Sequence, residues 1–146
     1  MEPETTTVSN PAAAMLDGDH ASRALGIEVL RAAEGDAVAR MRLTGAMVNG
    51  HSTAHGGYVF LLADTAFACA CNSYGPVTVA ASAQITFVGP AYEGDFLHAY
   101  AAERTRFGRS GIYDVTVRRG AQHNDVVVAE FRGHSKIVQR GEETCS

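Results

Sequence analysis

Cysteine is scarce and odd in number: Cys69, Cys71 and Cys145 make up the whole complement. That excludes a framework of paired disulfides and makes a reducing, cytoplasmic setting the expectation. Long apolar runs are missing as well. No window approaches the roughly 18 uninterrupted apolar residues that a spanning helix needs, so no membrane partner is expected. Basic charge is neither abundant nor clustered: the formal net charge is -4, and the one modest grouping is Arg104, Arg106 and Arg109. A general nucleic-acid binder, which needs a clustered basic face, is thereby excluded. The opening MEPETTTVSN is acidic and polar, unlike a signal or transit peptide. Internal repeats and low-complexity blocks are absent.

What is present suits one globular domain. A chain of 146 residues, 46% of them hydrophobic, can bury roughly two-thirds of its unfolded surface. Residues 1–10 and 139–146 read as flexible polar tails, leaving 11–138 as the domain. Residues 12–25 (AAAMLDGDHASRAL) form a helix candidate weakened by Gly18. Strand signals follow. Residues 26–44 look like two strands around a turn at Glu34-Gly35-Asp36, with Ala37, Ala39, Met41 and Leu43 alternating against Val38, Arg40 and Arg42. Further strands are expected at 78–88, 96–107, 111–119 and 126–138. Their separators, GPAYEGD, GRS and GAQHND, favour tight reversals and hence an antiparallel meander.

Residues 57–74 break this pattern. Tyr58, Phe60, Leu61, Leu62, Ala63, Ala66, Phe67, Ala68, Ala70 and Cys71 are apolar on every face, and alanine favours helix. Such a helix among strands is expected to be buried. The predicted architecture is α+β: one long central helix wrapped by a curved antiparallel sheet of five or six strands.

The helix start carries the sequence HGG, His55-Gly56-Gly57. Paired glycines let a ligand approach the backbone, and a helix N-terminus presents unpaired N–H donors suited to a developing oxyanion. The same glycines can simply turn the chain. Asp64 lies about two turns into the helix, too far in to cap it. A carboxylate in apolar surroundings is unfavourable unless paired, hydrogen-bonded or used. It either anchors an interface with a neighbouring chain or acts chemically, and the upstream HGG with the amide of Asn49 favours chemistry. Burial should raise its pKa, whereas the helix N-terminus and hydrogen bonds should lower it.

The block NGHSTAHGGYVFLLADTAFACACNS, followed by ASAQITFVGPAYEGDFLHAYA and GRSGIYDVTV, resembles the PaaI-type acyl-CoA thioesterases of the phenylacetate pathway, which have the hotdog fold. The likeness spans residues 15–138. It implies that the Gly56 N–H polarises a thioester carbonyl, that Asp64 acts as general base or nucleophile, and that Asn49 orients the carbonyl or the water. It also implies a homodimer with Asp64 from one subunit and Asn49 and Gly56 from the other, two dimers pairing into a homotetramer. The substrate implied is an aryl-acetyl or hydroxyphenylacetyl-CoA. The related branch acting on 4-hydroxybenzoyl-CoA uses a glutamate with a hydroxyl residue one turn later. Here those places hold Asp64 and Ala68, which fits the PaaI branch and leaves Thr65 and Asn72 as the nearby polar residues.

Other residues attract plainer expectations. His51 and His55 are four apart but precede the glycines in a loop, with no third ligand, so neither metal nor cofactor is expected. His55 is expected to shape the oxyanion loop, Gly57 to share the polarising helix start with Gly56, and His51 to face solvent. Cys69 and Cys71 read as small buried side chains. Arg106, Arg109 and Ser110, around the FGRSG turn, are candidate contacts for CoA phosphates or simply a solvated hairpin end. Three alternatives to hydrolysis stand: a hydratase or dehydratase pairing His55 with Asp64, a non-catalytic acyl-CoA-binding module, and a structural dimer.

Overall fold

The computed structural model describes residues 7–120 and 126–138. Its elements are β1 (Thr7–Val8), α1 (Asn10–Asp17), α2 (His20–Ala24), β2 (Glu28–Ala33), β3 (Asp36–Arg42), α3 (Gly56–Asn72), β4 (Thr78–Phe87), β5 (Phe96–Phe107), β6 (Ser110–Arg119) and β7 (Val126–Ile137). A single 3-10 turn, Gly45–Met47, follows β3. The sheet order is β1-β2-β3-β5-β6-β7-β4, antiparallel except for the short β1–β2 pair. The long helix α3 lies across one face of this sheet, which is the hotdog arrangement.

Local chemistry explains most boundaries. The β2–β3 hairpin turns at Glu34 and Gly35, whose φ angles of 54° and 84° suit a mirror-image turn. A side chain at Gly35 would also meet Glu103 Oε1 at 2.6 Å and the Tyr74 hydroxyl at 2.7 Å. The expected helix over 12–25 is two helices, α1 and α2, separated at Gly18. Ser9 Oγ caps α1 by accepting from the Ala12 N–H, and Asp19 caps α2 by accepting from the Ser22 N–H.

Two expectations are corrected. Residues 7–10 are not tail: the Ser9 N–H donates to the Ala32 carbonyl at 2.8 Å, which ties β1 beside β2 and starts α1. Residues 1–6, the tail 139–146 and most of the GAQHND separator lie outside the described residues. The meander also fails at β4, which pairs with β7 at the far side of the sheet instead of with β5. Residues 88–95 pass the ends of β7 and β6, where Val88 and Gly89 donate to the Val128 carbonyl and Arg119 Nε donates to the Pro90 carbonyl. At roughly 3.3 Å per residue they easily cover the about 14 Å of three strand spacings, so their length does not force a hairpin.

The core forms where α3 meets the sheet. Ala37, Ala39 and Met41 of β3, Leu97, Ala99 and Ala101 of β5 and Val115 and Val117 of β6 are all buried. Small side chains on β3 and β5 let the helix approach closely. Phe67 packs with its ring centroid 5.6 Å from Tyr113 and 5.7 Å from Phe131. It also rests on the backbone of β7, where an added Cβ at Gly133 would lie 2.7 Å from the ring. The helix is not buried all round, however. Gly57 is exposed and Leu61, Asp64 and Ala68 are half-buried, a stripe at helical spacing that faces away from the sheet.

The Phe67–Gly133 contact generates a prediction. Gly133→Ala should destabilise the fold by about 1–3 kcal/mol through overpacking, and Phe67→Leu should recover part of that loss in chemical denaturation. Equal losses in both backgrounds would show that the contact does not limit the packing.

Candidate active site

The loop before α3 is held from inside. Asn49 Oδ1 accepts from the His51 N–H at 2.9 Å and from the Thr53 N–H and hydroxyl, both at 3.2 Å. The Ala54 N–H donates to the Ala91 carbonyl and the His55 N–H to the Met47 carbonyl, each at 2.8 Å. These bonds fix the approach to the helix against the chain leaving β4. His51 is exposed, as expected.

His55 is the N-cap of α3. Its Nδ1 accepts from the Gly57 N–H at 3.0 Å, and its carbonyl takes the N–H groups of Tyr58 and Val59. A helix leaves its first four N–H groups without internal partners, and three of them are engaged here: His55 N–H by the Met47 carbonyl, Gly57 N–H by the His55 ring and Tyr58 N–H by the His55 carbonyl. The Gly56 N–H is the one left: among the described residues nothing accepts from it. Gly57, expected to share the polarising role, has its N–H bound to His55 instead.

Gly56 and Asn49 line the same open cleft of about 340 Å³, together with Val59, Phe87, Pro90 and Val128. The Phe87 ring lies against Gly56 so closely that a Cβ there would sit 2.8 Å from it. Phe87 escaped the sequence reading because the contact joins α3 to the end of β4, and no local pattern reports it.

Asp64 is half-buried and accepts no hydrogen bond or ion pair among the described residues. Its pKa is raised above 3.8, first by burial and then by the charge of Asp19. The opposing influences thus resolve upward: burial dominates, and among the described residues no donor reaches the carboxylate. Neither polar neighbour steadies it. Thr65 bonds Ser22, and Asn72 ties the helix end to Thr78 and Ala68. Nor does Asp64 line the cleft. Eight residues of α-helix separate it from Gly56 by about 12 Å along the axis and about 80° around it. One chain therefore does not present both groups to one carbonyl.

Arg106, Arg109 and Ser110 come together with Tyr74, Tyr113 and Ser135 around a small pocket of about 40 Å³ at the opposite end of α3. Arg106 stacks 3.9 Å above the Tyr74 ring and lies 3.4 Å from Glu103 Oε2. Cys69 and Cys71 are buried, and burial pushes both thiols up to about 12, so neither is a nucleophile at neutral pH.

The Gly56–Phe87 contact can be tested by coupling. Gly56→Ala alone should lower the melting temperature, and the same change in a Phe87→Ala background should have little further effect. Strict additivity would contradict the contact.

A family model described as the Thioesterase superfamily matches residues 51–125. Acyl-coenzyme A thioesterase PaaI of Escherichia coli is 44% identical over 125 residues, 86% of this chain and 87% of that protein. A solved structure of the E. coli PaaI protein, from the phenylacetic acid degradation operon, has a TM-score of 0.83 over 88% of this chain and 91% of its own, at 43% identity. A mutant of the phenylacetic acid degradation protein PaaI from Thermus thermophilus, 35% identical, gives 0.76 over 82% of this chain and 100% of its own. A more distant hypothetical thioesterase protein of Streptococcus pneumoniae, solved with coenzyme A, shares the fold, with a TM-score of 0.77 at 18% identity over 85% of this chain and 96% of its own. With the HGG helix start, the half-buried acid and the wrapped helix all in place, the chain belongs to the thioesterase superfamily as a hotdog-fold homologue of a thioester hydrolase, the acyl-CoA thioesterase PaaI.

Proposed function

We propose that this protein hydrolyses aryl acyl-CoA thioesters of the phenylacetyl or hydroxyphenylacetyl type, at sites each assembled from two copies of the chain. The observation that carries the reading is the single unclaimed first-turn donor, Gly56 N–H, in an apolar cleft that Asp64 of the same chain does not line. The cleft supplies a donor for an oxyanion and the amide of Asn49. The partner chain supplies the ionised carboxylate of Asp64. Apolar lining by Val59, Phe87, Pro90 and Val128 suits an aryl group beside the carbonyl. The E. coli relative's name, acyl-coenzyme A thioesterase, supports CoA as the thiol.

The steps follow from these positions. The thioester oxygen accepts from Gly56 N–H, which makes the carbonyl carbon more electrophilic. Asp64 takes a proton as water adds to that carbon, and the oxyanion of the tetrahedral intermediate strengthens the same hydrogen bond. Collapse breaks the C–S bond, and the proton on Asp64 passes to the leaving sulfur. Products are the carboxylic acid and free CoA. The hydratase alternative draws no support from His55, whose Nδ1 is engaged by Gly57.

Dimer formation has a surface suited to it. Strand β4 is an unpaired edge, exposed along most of its length, with Val79 46% and Phe87 54% accessible. Natural sheets rarely leave such an edge uncovered. A second copy meeting it would bring its own α3 to the Gly56 cleft, and pairing of two dimers would complete a tetramer. Arg106, Arg109 and Ser110 are assigned to CoA phosphates, with Arg106 leaving Glu103 to do so. Among the described residues no helix is long and apolar enough to cross a membrane, and buried free thiols suit a cytoplasmic location.

Thiol release from phenylacetyl-, hydroxyphenylacetyl-, benzoyl- and aliphatic CoA esters tests the activity and its range. Asp64→Asn should lower kcat/KM by about 10²–10⁴ with unchanged assembly on size-exclusion chromatography. Retention of activity within tenfold would remove Asp64 from the chemistry. The pH dependence has a definite sign. Asp64 works ionised and its pKa lies above 3.8, so activity should fall as pH drops through that raised value. A midpoint at or below 3.8 would contradict the burial.

The donor can be deleted separately. His55 has φ -68° and ψ 131°, which tolerates a following proline, and proline is accommodated at the first helical position. Gly56→Pro, placed in a Phe87→Ala chain to make room, should reduce kcat by about 10²–10³ relative to Phe87→Ala alone. Unchanged turnover would exclude this N–H as the polarising group.

A further inference from the structure

The exposed aromatic rings of this chain are covered by neighbours, with one exception. Arg106 lies over Tyr74, Arg119 over Tyr92 and Arg40 over Phe96, while His98 and His134 pack on Tyr100 and Phe107. Phe87 is 54% exposed, more than any of these, and among the described residues it has neither a ring nor a cation against it. Ile85, two residues earlier on the same face of β4, packs on the core. Phe87 lies past the edge of that core, and a ring so exposed adds little to folding.

What the ring does meet is the first turn of α3. Its tip faces Gly56: a Cβ there would lie 2.8 Å from Cζ, 3.2 Å from Cε1 and 3.4 Å from Cε2. Gly56 carries the unclaimed N–H, and Phe87 is the one aromatic among the described residues that line its cleft. The other apolar lining, Val59, Pro90, Ala91 and Val128, is aliphatic. A thioester oxygen bound to Gly56 N–H lies about 3 Å from that nitrogen. The first atoms of the acyl group beyond the carbonyl are then within reach of the Phe87 ring. An arylacetyl group carries its own ring one methylene from the carbonyl, which brings two rings to one wall of the cleft. Rings prefer offset or edge-to-face contact, and such a pair gains about two- to tenfold in binding beyond what its buried area gives.

We propose that Phe87 is a specificity-determining residue: its ring packs on the aryl group of the bound ester and selects it over a saturated group of similar size. This deepens the hydrolytic reading above and rests on the thioester oxygen being held by Gly56 N–H. It accounts for an aromatic that the described residues leave uncovered beside a donor they also leave unclaimed. The bare backbone of Gly56 belongs to the same arrangement, since a side chain there would displace the ring.

The test compares the full-length enzyme with its Phe87→Leu variant on phenylacetyl-, cyclohexylacetyl- and acetyl-CoA, by thiol release. Leucine keeps an apolar wall and removes the ring. The ratio of kcat/KM for phenylacetyl- over cyclohexylacetyl-CoA should fall by about two- to tenfold. The change should appear mainly in KM, because the ring contact is made before and during the reaction alike. Acetyl-CoA should lose less than phenylacetyl-CoA. Should Phe87→Leu fold poorly, Phe87→Met makes the same comparison. A loss shared equally by all three esters would make the ring a support for the Gly56 turn, and overturns the proposal. So does a variant that dissociates on size-exclusion chromatography, because the ring is then an interface contact. Both results leave the hydrolytic reading standing if wild type releases thiol. A wild-type enzyme that releases none from any ester overturns that reading and this inference with it.

Discussion

A helix leaves its first backbone donors without partners, and α3 resolves this in a way that defines the molecule. His55 takes the Gly57 N–H with its ring and those of Tyr58 and Val59 with its carbonyl. Among the described residues only Gly56 N–H is left of the first-turn donors, at the wall of a cleft, with Phe87 packed where a side chain would otherwise be. A donor in a partly desolvated site binds a developing negative charge far better than water does, because it needs no reorganisation when the charge appears. The rest of the chain holds that turn still. Asn49 ties the loop to itself, Ala54 ties it to the crossing segment, and α3 is clamped by the alanine-lined sheet.

The same helix separates the two groups that the proposed hydrolysis uses. Its rigidity, an asset for placing the donor, keeps Asp64 on another face. A second chain is the simplest remedy, and β4 offers an edge for it to meet. This also gives meaning to a carboxylate that the described residues of its own chain leave unsatisfied. Burial without a partner lowers stability, which fits a group retained for chemistry rather than folding.

Features that depend on short-range periodicity were legible in the sequence. The all-apolar run at 57–74 became α3, alternation at Ala37, Ala39 and Met41 became the buried face of β3 with Leu43 buried just beyond it, and the break at Glu34-Gly35 became the hairpin. Asp64 stood out as an acid inside that apolar run, and Gly56 and Asn49 as the glycine and the amide upstream of it. Features that depend on tertiary meeting were not legible. The GPAYEGD separator looks like a reversal, yet it carries the chain past two strands and leaves β4 at the edge. Phe87 reads as one more strand aromatic until β4 brings it to Gly56. Asp19 and Ser22 carry a capping signature in DHAS, but nothing local says that Thr65 completes their network. The arginines of the FGRSG turn do cluster as expected, at a distance from the cleft that only the fold reveals.

The most direct measurement is subunit complementation. Asp64→Asn chains are refolded together with chains carrying Gly56→Pro and Phe87→Ala, each preparation being inactive alone, and thiol release is followed at equal mixing. If each site takes Asp64 from one chain and the Gly56 donor from the other, a mixed dimer holds one intact site, and about a quarter of the activity of the Phe87-containing enzyme returns. If the mixture stays as inactive as its components while mixed dimers are shown to form, the two groups do not meet across chains, and the shared site is wrong.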